Sequence, residues 1–543
     1  MNFKRLKPKL FSCMKSYSKE QFVKDIVAGI IVAIIALPLS IALALASGVG
    51  PEQGLYTAIV AGFIISFLGG SRVQIAGPTA AFASIVAGII AVNGFDGLVL
   101  ATIMAGIILV LMGVLGLGNL IKFIPRTITV GFTSGIAVTI AIGQIKDFLG
   151  LTFTHSPVET MEKAAEVVNS ISTINWQAAF IGLLALAIMI IVPKFLKKVP
   201  PSIIAIVVCA AVVKIFDMEV LTIGDLYQIS SALPKFTMPV FSVDMAVAVL
   251  PDAFTIAILA AVESLLSCVV ADGMVSSRHN SNMELVAQGA GNVFSALFGG
   301  IPATGAIART AANIKNGGRT PIAGMVHAVV LLIVLVSLMP YASIIPMPVI
   351  AAILFVVAYN MSEWREFAAI IKTMPKSDIF ILVLTFVLTV VFDLVVAILV
   401  GFVLATVFFM KRMADVTSVS SWISDEEADD IRLKKIPENT YVYEIIGPVF
   451  FGAADKIADM VKSAKKGVVI IRMRSVPAID ATGLHTFETI VKKCAKKNIA
   501  VIISHVNEQP MHAFVKSGIY DRIGKDNFCD NIDAALERAE EIN

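Results

Sequence analysis

The stretch Gly-Gly-Ile-Pro-Ala-Thr-Gly-Ala-Ile-Ala-Arg, residues 299–309, decides the fold of this chain. It places a glycine pair, a proline and an arginine among long apolar runs, and the apolar segment that it opens is already polar at Asn313. A helix needs about twenty apolar residues to cross the hydrocarbon layer of a bilayer. This segment is too short, so we predict a half-helix that begins at residue 301, inside a membrane.

A second stretch of the same kind lies in the first half of the chain. Gly69-Gly70 precedes Gly77-Pro78-Thr79, and the apolar segment that starts there ends at about Val92. We count the two as the third and tenth of about fourteen apolar segments, each third in a set of seven. Short segments interrupted by glycine and proline at corresponding positions of two halves indicate a transporter binding site. The alternative is that the prolines merely kink ordinary packed helices.

The composition of the whole chain is that of a membrane protein. Of its 543 residues, 57% are apolar and 15% are charged, and the mean hydropathy is +0.86. A soluble protein carries about a quarter charged residues. The formal net charge of +3 is too small to indicate a nucleic acid partner. The five cysteines lie far apart, which excludes zinc-binding pairs and a disulfide framework, so we expect no metal and no cofactor.

The distribution of charge divides the chain into four regions. Residues 1–25 are polar and basic, and residues 26–412 alternate long charge-free runs with short polar joints. Residues 413–437 are a polar linker, and residues 438–543 carry charge at the density of a soluble domain. We therefore predict a cytoplasmic N-terminal segment, a transmembrane domain, a linker and a soluble cytoplasmic domain.

Lysine and arginine residues set the predicted orientation of the transmembrane domain. The basic N-terminal segment and the joints that carry Arg72, Lys194 and Arg278 fall on one side of the membrane, whereas joints such as residues 47–53 lack these residues. Loops rich in lysine and arginine stay in the cytoplasm. Both termini are therefore predicted to be cytoplasmic, with the chain in the inner (plasma) membrane of the cell.

The starts of the two half-helices are candidate anion sites. A helix that begins at mid-membrane leaves several backbone N–H groups unpaired and directs the positive end of its dipole into the interior. Two such ends that face each other can hold an anion, and the hydroxyls of Thr79 and Thr304 would complete the site. The further residues predicted to line it are Gly77, Pro78, Ala80, Ala303, Gly305 and Ala306.

Two charged residues lie inside predicted membrane segments. Glu263 is near the middle of an apolar span, and Arg309 is in the second half-helix. Charged groups in a bilayer are costly and normally face a functional cavity, so we predict that Arg309 binds the anion; the alternative is a structural Glu263–Arg309 pair. Ser267 lies one helical turn after Glu263. Glu263 is predicted to take up the coupling proton, or to ligate Na⁺ together with Ser267.

Four short motifs carry a family resemblance. They are Ala36-Leu37-Pro38, Gly54-Leu55-Tyr56, Gly77-Pro78-Thr79 and Gly-Ala-Ile-Ala-Arg-Thr at residues 305–310. Together they resemble the sulfate permease family of anion transporters over nearly the whole chain. The resemblance implies two intertwined inverted repeats of seven segments, divided into a core and a gate domain. It also implies that the first and eighth segments line the site, which adds Pro38 and Ser40. Leu39 is a departure, since many members have Gln there, so strict sulfate specificity is not predicted.

An alternating pattern of strands and helices follows the membrane region. Strands are predicted at residues 441–446, 468–472 and 500–504, with helices after Thr482 and Asn507. The segment Ile-Asp-Ala-Thr-Gly-Leu, residues 479–484, resembles the signature turn of STAS domains, which anti-sigma factor antagonists share. The resemblance implies a phosphorylation site at Thr482, and the alternative is that this turn is only an ordinary helix start.

These observations lead to a functional hypothesis. We predict a secondary active anion transporter, not an enzyme, driven by an ion gradient because the sequence holds no ATP-binding motif. Proton-coupled symport of sulfate or a related anion is the leading hypothesis. Sodium-driven bicarbonate uptake is the alternative within transport, and a STAS-mediated sensor or scaffold is an alternative of another class. The expected partners are a small anion, a coupling proton or sodium ion, the lipid bilayer and a second copy of the chain.

Overall fold

The computed structural model describes residues 6–543 except 120–124, 156, 158, 197–199, 240, 393, 422–435, 463 and 465. Its internal contacts separate two compact units, Met1–Phe402 and Val403–Asn543. The first unit is mostly helical, and the second contains a five-stranded sheet with helices. Both match the predicted fold class, a multi-pass helical membrane domain followed by an α/β domain.

The first unit is built from consecutive helices, the last of which ends in the second unit. In chain order they are α1 (Lys9–Cys13), α2 (Lys19–Ala46), α3 (Pro51–Leu68), α4 (Ala83–Val114), α5 (Arg126–Leu149), α6 (Thr160–Asn169), α7 (Trp176–Phe195), α8 (Pro201–Ile215), α9 (Ile223–Leu226), α10 (Val243–Ala248), α11 (Leu250–Val275), α12 (Ser281–Leu297), α13 (Ile307–Lys315), α14 (Ile322–Leu338), α15 (Met347–Met361), α16 (Trp364–Thr373), α17 (Lys376–Val391) and α18 (Leu394–Val416).

The number of membrane segments follows from these lengths. Among the described residues, nine helices are long and apolar enough to cross a membrane. One of them, α4, breaks at Gly94, which has φ 66° and ψ −172°, a conformation that suits glycine. Counting α4 as two segments and adding the shorter α8, α12, α13 and α17 gives the fourteen segments predicted from the sequence. The first part of α4 and α13 are the third and tenth of them.

Two very short strands precede the two half-helices. β1 (Ala76–Gly77) pairs antiparallel with β2 (Thr304–Gly305), so Ala76 lies opposite Gly305 and Gly77 lies opposite Thr304. Because the two paired strands run in opposite directions, the helices that follow them leave the strand pair on opposite sides. The N-termini of both helices therefore face the point where β1 and β2 pair, which we call the crossing. Residues more than two hundred positions apart in the sequence therefore meet at one point.

Helical turns begin later than the sequence predicts. After β1, Thr79 is still extended, with φ −128° and ψ 156°, and a 3₁₀ turn starts at Ala80. After β2, Ala306 is extended, and α13 starts at Ile307 rather than at residue 301. Proline has no N–H and favours an extended residue before it, and strand pairing keeps the chain extended beyond that point. The prolines of both stretches thus lie in non-helical backbone ahead of the helices.

The second unit is a mainly parallel sheet covered on both faces. Its strands, in the spatial order of the sheet, are β3 (Ser418–Ser421), β4 (Thr440–Ile446), β5 (Gly467–Ser475), β6 (Ile499–Ser504) and β7 (Phe528–Cys529). β3 is antiparallel to β4, and the other pairs are parallel. Its helices are α19 (Ala454–Ala458), α20 (Ala481–Lys496), α21 (Glu508–Ser517), α22 (Ile519–Ile523) and α23 (Ile532–Ile542).

The sheet has a hydrophobic core on each face. One core includes Phe487 of α20 and Phe514 of α21, and the other joins α23 to Val442, Val468 and Ile502. The three strands and two helices predicted from the sequence are all present. The linker predicted at residues 413–437 contributes β3 near its start, while its residues 422–435 lie outside the described ones.

Candidate functional site

The candidate site lies where the two half-helix starts meet α11. Of the residues predicted to form it, Thr79, Glu263 and Ala306 are partly exposed. The first N–H groups of each half-helix have no partner within their own helix, and both helix dipoles direct their positive ends to the crossing. The site therefore combines a positive backbone potential with one carboxylate.

The hydroxyls of both half-helix starts bond to α11. Thr79 donates a hydrogen bond to Oε2 of Glu263 over 3.1 Å. Thr304 donates to the carbonyl oxygen of Ala260, one turn before Glu263, over 2.9 Å. Each hydroxyl proton is thus engaged by α11 and is not free to bind an anion in this conformation. Thr304 is fully buried, whereas Thr79 is not.

Arg309 reaches from α13 to the entry of the other half-helix. Its side chain is buried, and Nη2 donates to the carbonyl oxygen of Pro78 over 2.8 Å. A Cβ atom at Gly77 would lie 2.4 Å from Nη1, so a larger residue there would displace the end of the Arg309 side chain. Nη1 itself makes no hydrogen bond to the part of the chain that the structure describes.

The arrangement does not contain the Glu263–Arg309 pair that the sequence left as an alternative. Within the described residues, Glu263 is bonded to Thr79 and Arg309 to Pro78. The Arg309 guanidinium therefore links the second half-helix to the entry of the first. The Glu263 carboxylate lies on α11 and has the Thr79 hydroxyl as its hydrogen-bond partner.

Ser267 contacts α13. It is buried on α11, and its Oγ donates to Oγ1 of Thr310 over 3.4 Å. Thr310 also accepts a bond from the backbone N–H of Ile75, next to β1, over 3.0 Å. Ser267 thus connects α11 to the second half-helix and lies one turn from Glu263.

The two residues that the resemblance adds on the first segment are buried in α2. Pro38 lies inside the helix, where it removes one backbone hydrogen bond. The carbonyl oxygen of Ser40 would lie 2.1 Å from a Cβ at Gly54, which shows how closely α2 and α3 pack. The hydroxyl of Ser40 has no hydrogen-bond partner among the described residues. Leu39, between them, is partly exposed.

The remaining residues that were predicted to line the site lie at or beside the paired strands β1 and β2. Gly77, Pro78, Ala80, Ala303 and Gly305 are all buried. They are small or rigid residues in extended backbone or in the first turn, and they let the two chains approach. They offer backbone groups, not side chains, to a ligand.

A row of polar residues on α12 was missed by the sequence analysis. Asn292 accepts a bond from the N–H of Ala303 and donates to its carbonyl oxygen, both over 2.8 Å. Glu284, Gln288 and Asn292 follow each other at intervals of four, which places them on one helix face. All three are fully buried. This spacing of polar residues was the available signal.

The predicted phosphorylation site lies at the start of α20. Thr482 is exposed. Asp480 caps the helix, since one of its oxygens accepts from the N–H of Gly483 over 2.7 Å and the other from the N–H of Phe451 over 3.0 Å. Asp480 therefore has a structural role, and phosphorylation of Thr482 stays a prediction.

The described residues contain no group of three or more histidine, cysteine, aspartate or glutamate side chains placed to hold a metal ion. The candidate ligands for an anion are backbone N–H groups and Arg309. The candidate ligands for a cation are the oxygens near Glu263.

Comparison with known proteins identifies both units. Residues 22–385 match the model of the sulfate permease family, and residues 431–535 match that of the STAS domain. The chain is 41% identical to the putative sulfate transporter YvdB of Bacillus subtilis, over 96% of this chain and 98% of that protein. It is 30% identical to the bicarbonate transporter BicA of Picosynechococcus, over 95% of this chain and 94% of that one. The structure of SLC26A9 shares the fold, with a TM-score of 0.87 at 18% identity, covering 98% of this chain and 92% of that one.

Proposed function

Because the chain belongs to the sulfate permease family of membrane transporters, we propose that it is a secondary active transporter that carries sulfate or a related anion together with a proton. Members of the family are transporters and not enzymes, and their substrates are small anions. The proton coupling, the binding residues and the choice of anion are the proposed part.

The observation that carries the proposal is the hydrogen bond from Thr79 to Glu263. While Glu263 is ionised, it accepts the hydroxyl proton of Thr79 and places a negative charge beside the anion site. When Glu263 takes up a proton, it becomes the donor, and the Thr79 hydroxyl can turn its own proton to the anion. Protonation therefore removes a repulsive charge and supplies a donor in one step. This gives the proton a direct means of raising anion affinity.

The anion itself would be held by the half-helix starts and Arg309. Unpaired N–H groups at a helix N-terminus bind anions, and the Arg309 guanidinium adds a full charge at the crossing. Nη1 of Arg309 is the group with a bond to give, since Nη2 is held by Pro78. Alternating access would carry this anchored anion past the other helices of the domain.

Sodium-driven bicarbonate uptake is the second candidate. The side chains of Glu263 and Ser267 lie one turn apart on α11, and oxygen ligands of this kind suit Na⁺. A relative with 30% identity over nearly the whole chain is named a bicarbonate transporter. A STAS-mediated sensor or scaffold is the alternative of another class. Such a protein would bind an anion but would not transport it.

The test is uptake into proteoliposomes that contain only this protein. Radiolabelled sulfate and bicarbonate are each offered under an imposed pH gradient and an imposed Na⁺ gradient. The Glu263→Gln variant should still exchange anion at equal concentrations but should no longer concentrate it when the pH gradient is applied. Glu52→Gln, which changes a partly buried carboxyl in the first turn of α3, is the matched control.

The outcomes separate the candidates. Uptake driven by Na⁺ alone, lost in Glu263→Gln and weakened in Ser267→Ala, would replace proton coupling with sodium coupling. Gradient-driven uptake that survives in Glu263→Gln would move the coupling site elsewhere. Binding without any flux in the wild-type protein would favour the scaffold.

The orientation and assembly are also part of the proposal. We propose that both termini face the cytoplasm, that the chain lies in the plasma membrane and that it functions as a homodimer. The positive-inside distribution of Arg72, Lys194 and Arg278 supports the orientation. Cysteines introduced into the predicted cytoplasmic and external loops, and labelled in intact cells, test the orientation. The mass of the detergent-solubilised complex tests the homodimer.

A further inference from the structure

A buried carboxylate lies behind the two half-helix starts. Glu284 is fully buried in the first turn of α12. Its Oε2 accepts from the backbone N–H groups of Gly70 over 2.9 Å and Ser71 over 3.1 Å. Its Oε1 accepts from Nε2 of Gln74 over 2.9 Å and of Gln288 over 3.0 Å. Four N–H donors thus satisfy this charge, and among the described residues it has no ion-pair partner.

Gln74 connects this carboxylate to both half-helix entries. It is next to Ile75, whose carbonyl oxygen accepts from the N–H of Ala306 over 2.9 Å. A Cβ at Gly305 would lie 2.0 Å from Nε2 of Gln74, so the amide packs directly on the β2 backbone. Its Oε1 accepts a bond from the thiol of Cys268 on α11.

The chemistry of the carboxylate fixes the orientation of this amide. An ionised carboxylate only accepts hydrogen bonds, so the NH₂ group of Gln74 must face Glu284 and its carbonyl must face Cys268. Both oxygens of Glu284 and both ends of the Gln74 amide are engaged in hydrogen bonds, and buried groups satisfied in this way are held in one arrangement. Glu284 on α12 therefore fixes the orientation of the Gln74 amide, which contacts Gly305.

We propose that Glu284 and Gln74 are positioning residues that set the spacing of the two half-helix starts, and thereby the affinity for the anion. Neither side chain is placed in the binding site itself. Glu284 holds the chain ahead of β1, and Gln74 holds β1 against β2. This inference rests on the proposed anion site between the half-helices.

The test uses two matched substitutions in the full-length protein. Gln74→Leu and Gln288→Leu each remove one N–H donor from the same oxygen of Glu284 with nearly equal change in volume. Gln74 touches β2, and Gln288 lies along α12. Equilibrium binding of radiolabelled sulfate and bicarbonate is measured with the purified variants, together with their unfolding temperatures and their flux in proteoliposomes.

Gln74→Leu should raise the Kd for the anion by about three- to tenfold, the cost of misplacing one or two hydrogen bonds. Gln288→Leu should bind as the wild type does, although the unfolding temperatures of both variants fall. Equal affinities in the two variants, whether both unchanged or both weakened, would overturn the inference and leave the network a purely structural one.

An exchanged pair keeps the test open should Gln74→Leu fail to fold. In the double variant Gln74→Glu with Glu284→Gln, the amide at 284 can accept from Gly70 and Ser71 and donate to the carboxylate at 74. Gln288, whose Oε1 has no hydrogen bond among the described residues, can turn its amide over and accept. This variant should bind the anion within about twofold of the wild type; a folded double variant with lost affinity would contradict the inference.

The same measurements separate the inference from the proposed function. Wild-type protein that binds an anion but moves none would refute transport and leave the positioning role to be judged on the Kd values. Wild-type protein that transports, with a Gln74→Leu variant of normal Kd, would refute the positioning role alone. Binding of neither anion by the wild type would overturn both.

Discussion

Replacing Thr79 with valine tests the link between proton and anion most directly. Valine has nearly the shape of threonine but lacks the hydroxyl, so Glu263 loses the donor that lies 3.1 Å from its Oε2. If protonation of Glu263 frees the Thr79 hydroxyl for the anion, the valine variant has no proton to offer. Acidification would then remove the charge of Glu263 without adding a donor.

The size of the effect follows from the bond that is lost. A hydrogen bond between a hydroxyl and a charged group contributes about 1.5–3 kcal/mol. This corresponds to about a 10- to 150-fold change in affinity. The Kd of the wild type for sulfate should fall as the pH is lowered and Glu263 takes up its proton. In Thr79→Val, this fall in Kd should be smaller by about 10- to 150-fold.

The assay is sulfate binding to the purified protein across a pH series, with Thr79→Ser as the control. Serine keeps the hydroxyl and should keep the pH response. Thr304→Val is a second control, since this buried hydroxyl donates to the backbone of Ala260 and not to a titratable group. An unchanged pH response in Thr79→Val, or its loss in Thr304→Val alone, would refute the reasoning.

Two further predictions concern other charged groups. Arg309→Ala should weaken anion binding by about 1–3 kcal/mol in a calorimetric titration, and Arg309→Lys should restore it only partly because lysine lacks the planar fork; unchanged affinity would make Arg309 a structural link to Pro78. In the second unit, hydrogen bonds from Lys492 and Arg522 hold the pKa of Glu488 at about 2, below its ordinary value of 4.5. The ionised form therefore stabilises the fold above pH 4.5, and this stabilisation is lost as the pH falls towards 2. Hydrogen exchange of the backbone amides of α20, measured on the full chain, should show this loss of stability in the wild type but not in Glu488→Gln. Equal responses of the two proteins to acid would contradict the prediction.

The half-helices could be predicted because their signal is local. The glycine pairs, Pro78 and Pro302 interrupt apolar runs, and Glu263 and Arg309 are charges where a bilayer disfavours them. Three strands, two helices and the signature turn of the second unit were likewise visible as alternating residues and a helix start, whereas β3, β7, α19, α22 and α23 were not predicted. Each of these is a property of neighbouring residues.

The partners of these residues could not be predicted in the same way. Arg309 bonds to Pro78 across 231 positions, and Glu284 bonds to Gly70 across 214. Sequence shows that a buried charge needs a partner, and it does not show which of several candidates the fold brings near. The extended backbone at residues 304–306 depends on pairing with β1 and the residue before it, which is also a long-range event. β3, with the sequence Ser-Val-Ser-Ser, is too short and too polar to reveal a strand before its neighbour β4 is known.

The single bond between Glu263 and Thr79 has an electrical consequence. If this one carboxylate takes up one proton in each transport cycle, as proposed, a divalent anion such as sulfate keeps one uncompensated negative charge. A monovalent anion such as bicarbonate would cross as a neutral pair with the same proton. Movement of one charge through the membrane potential changes the free energy by about 2.3 kcal/mol per 100 mV. Uptake of sulfate through this site would therefore generate a current and slow down as the cell interior becomes more negative, whereas uptake of bicarbonate would be insensitive to voltage.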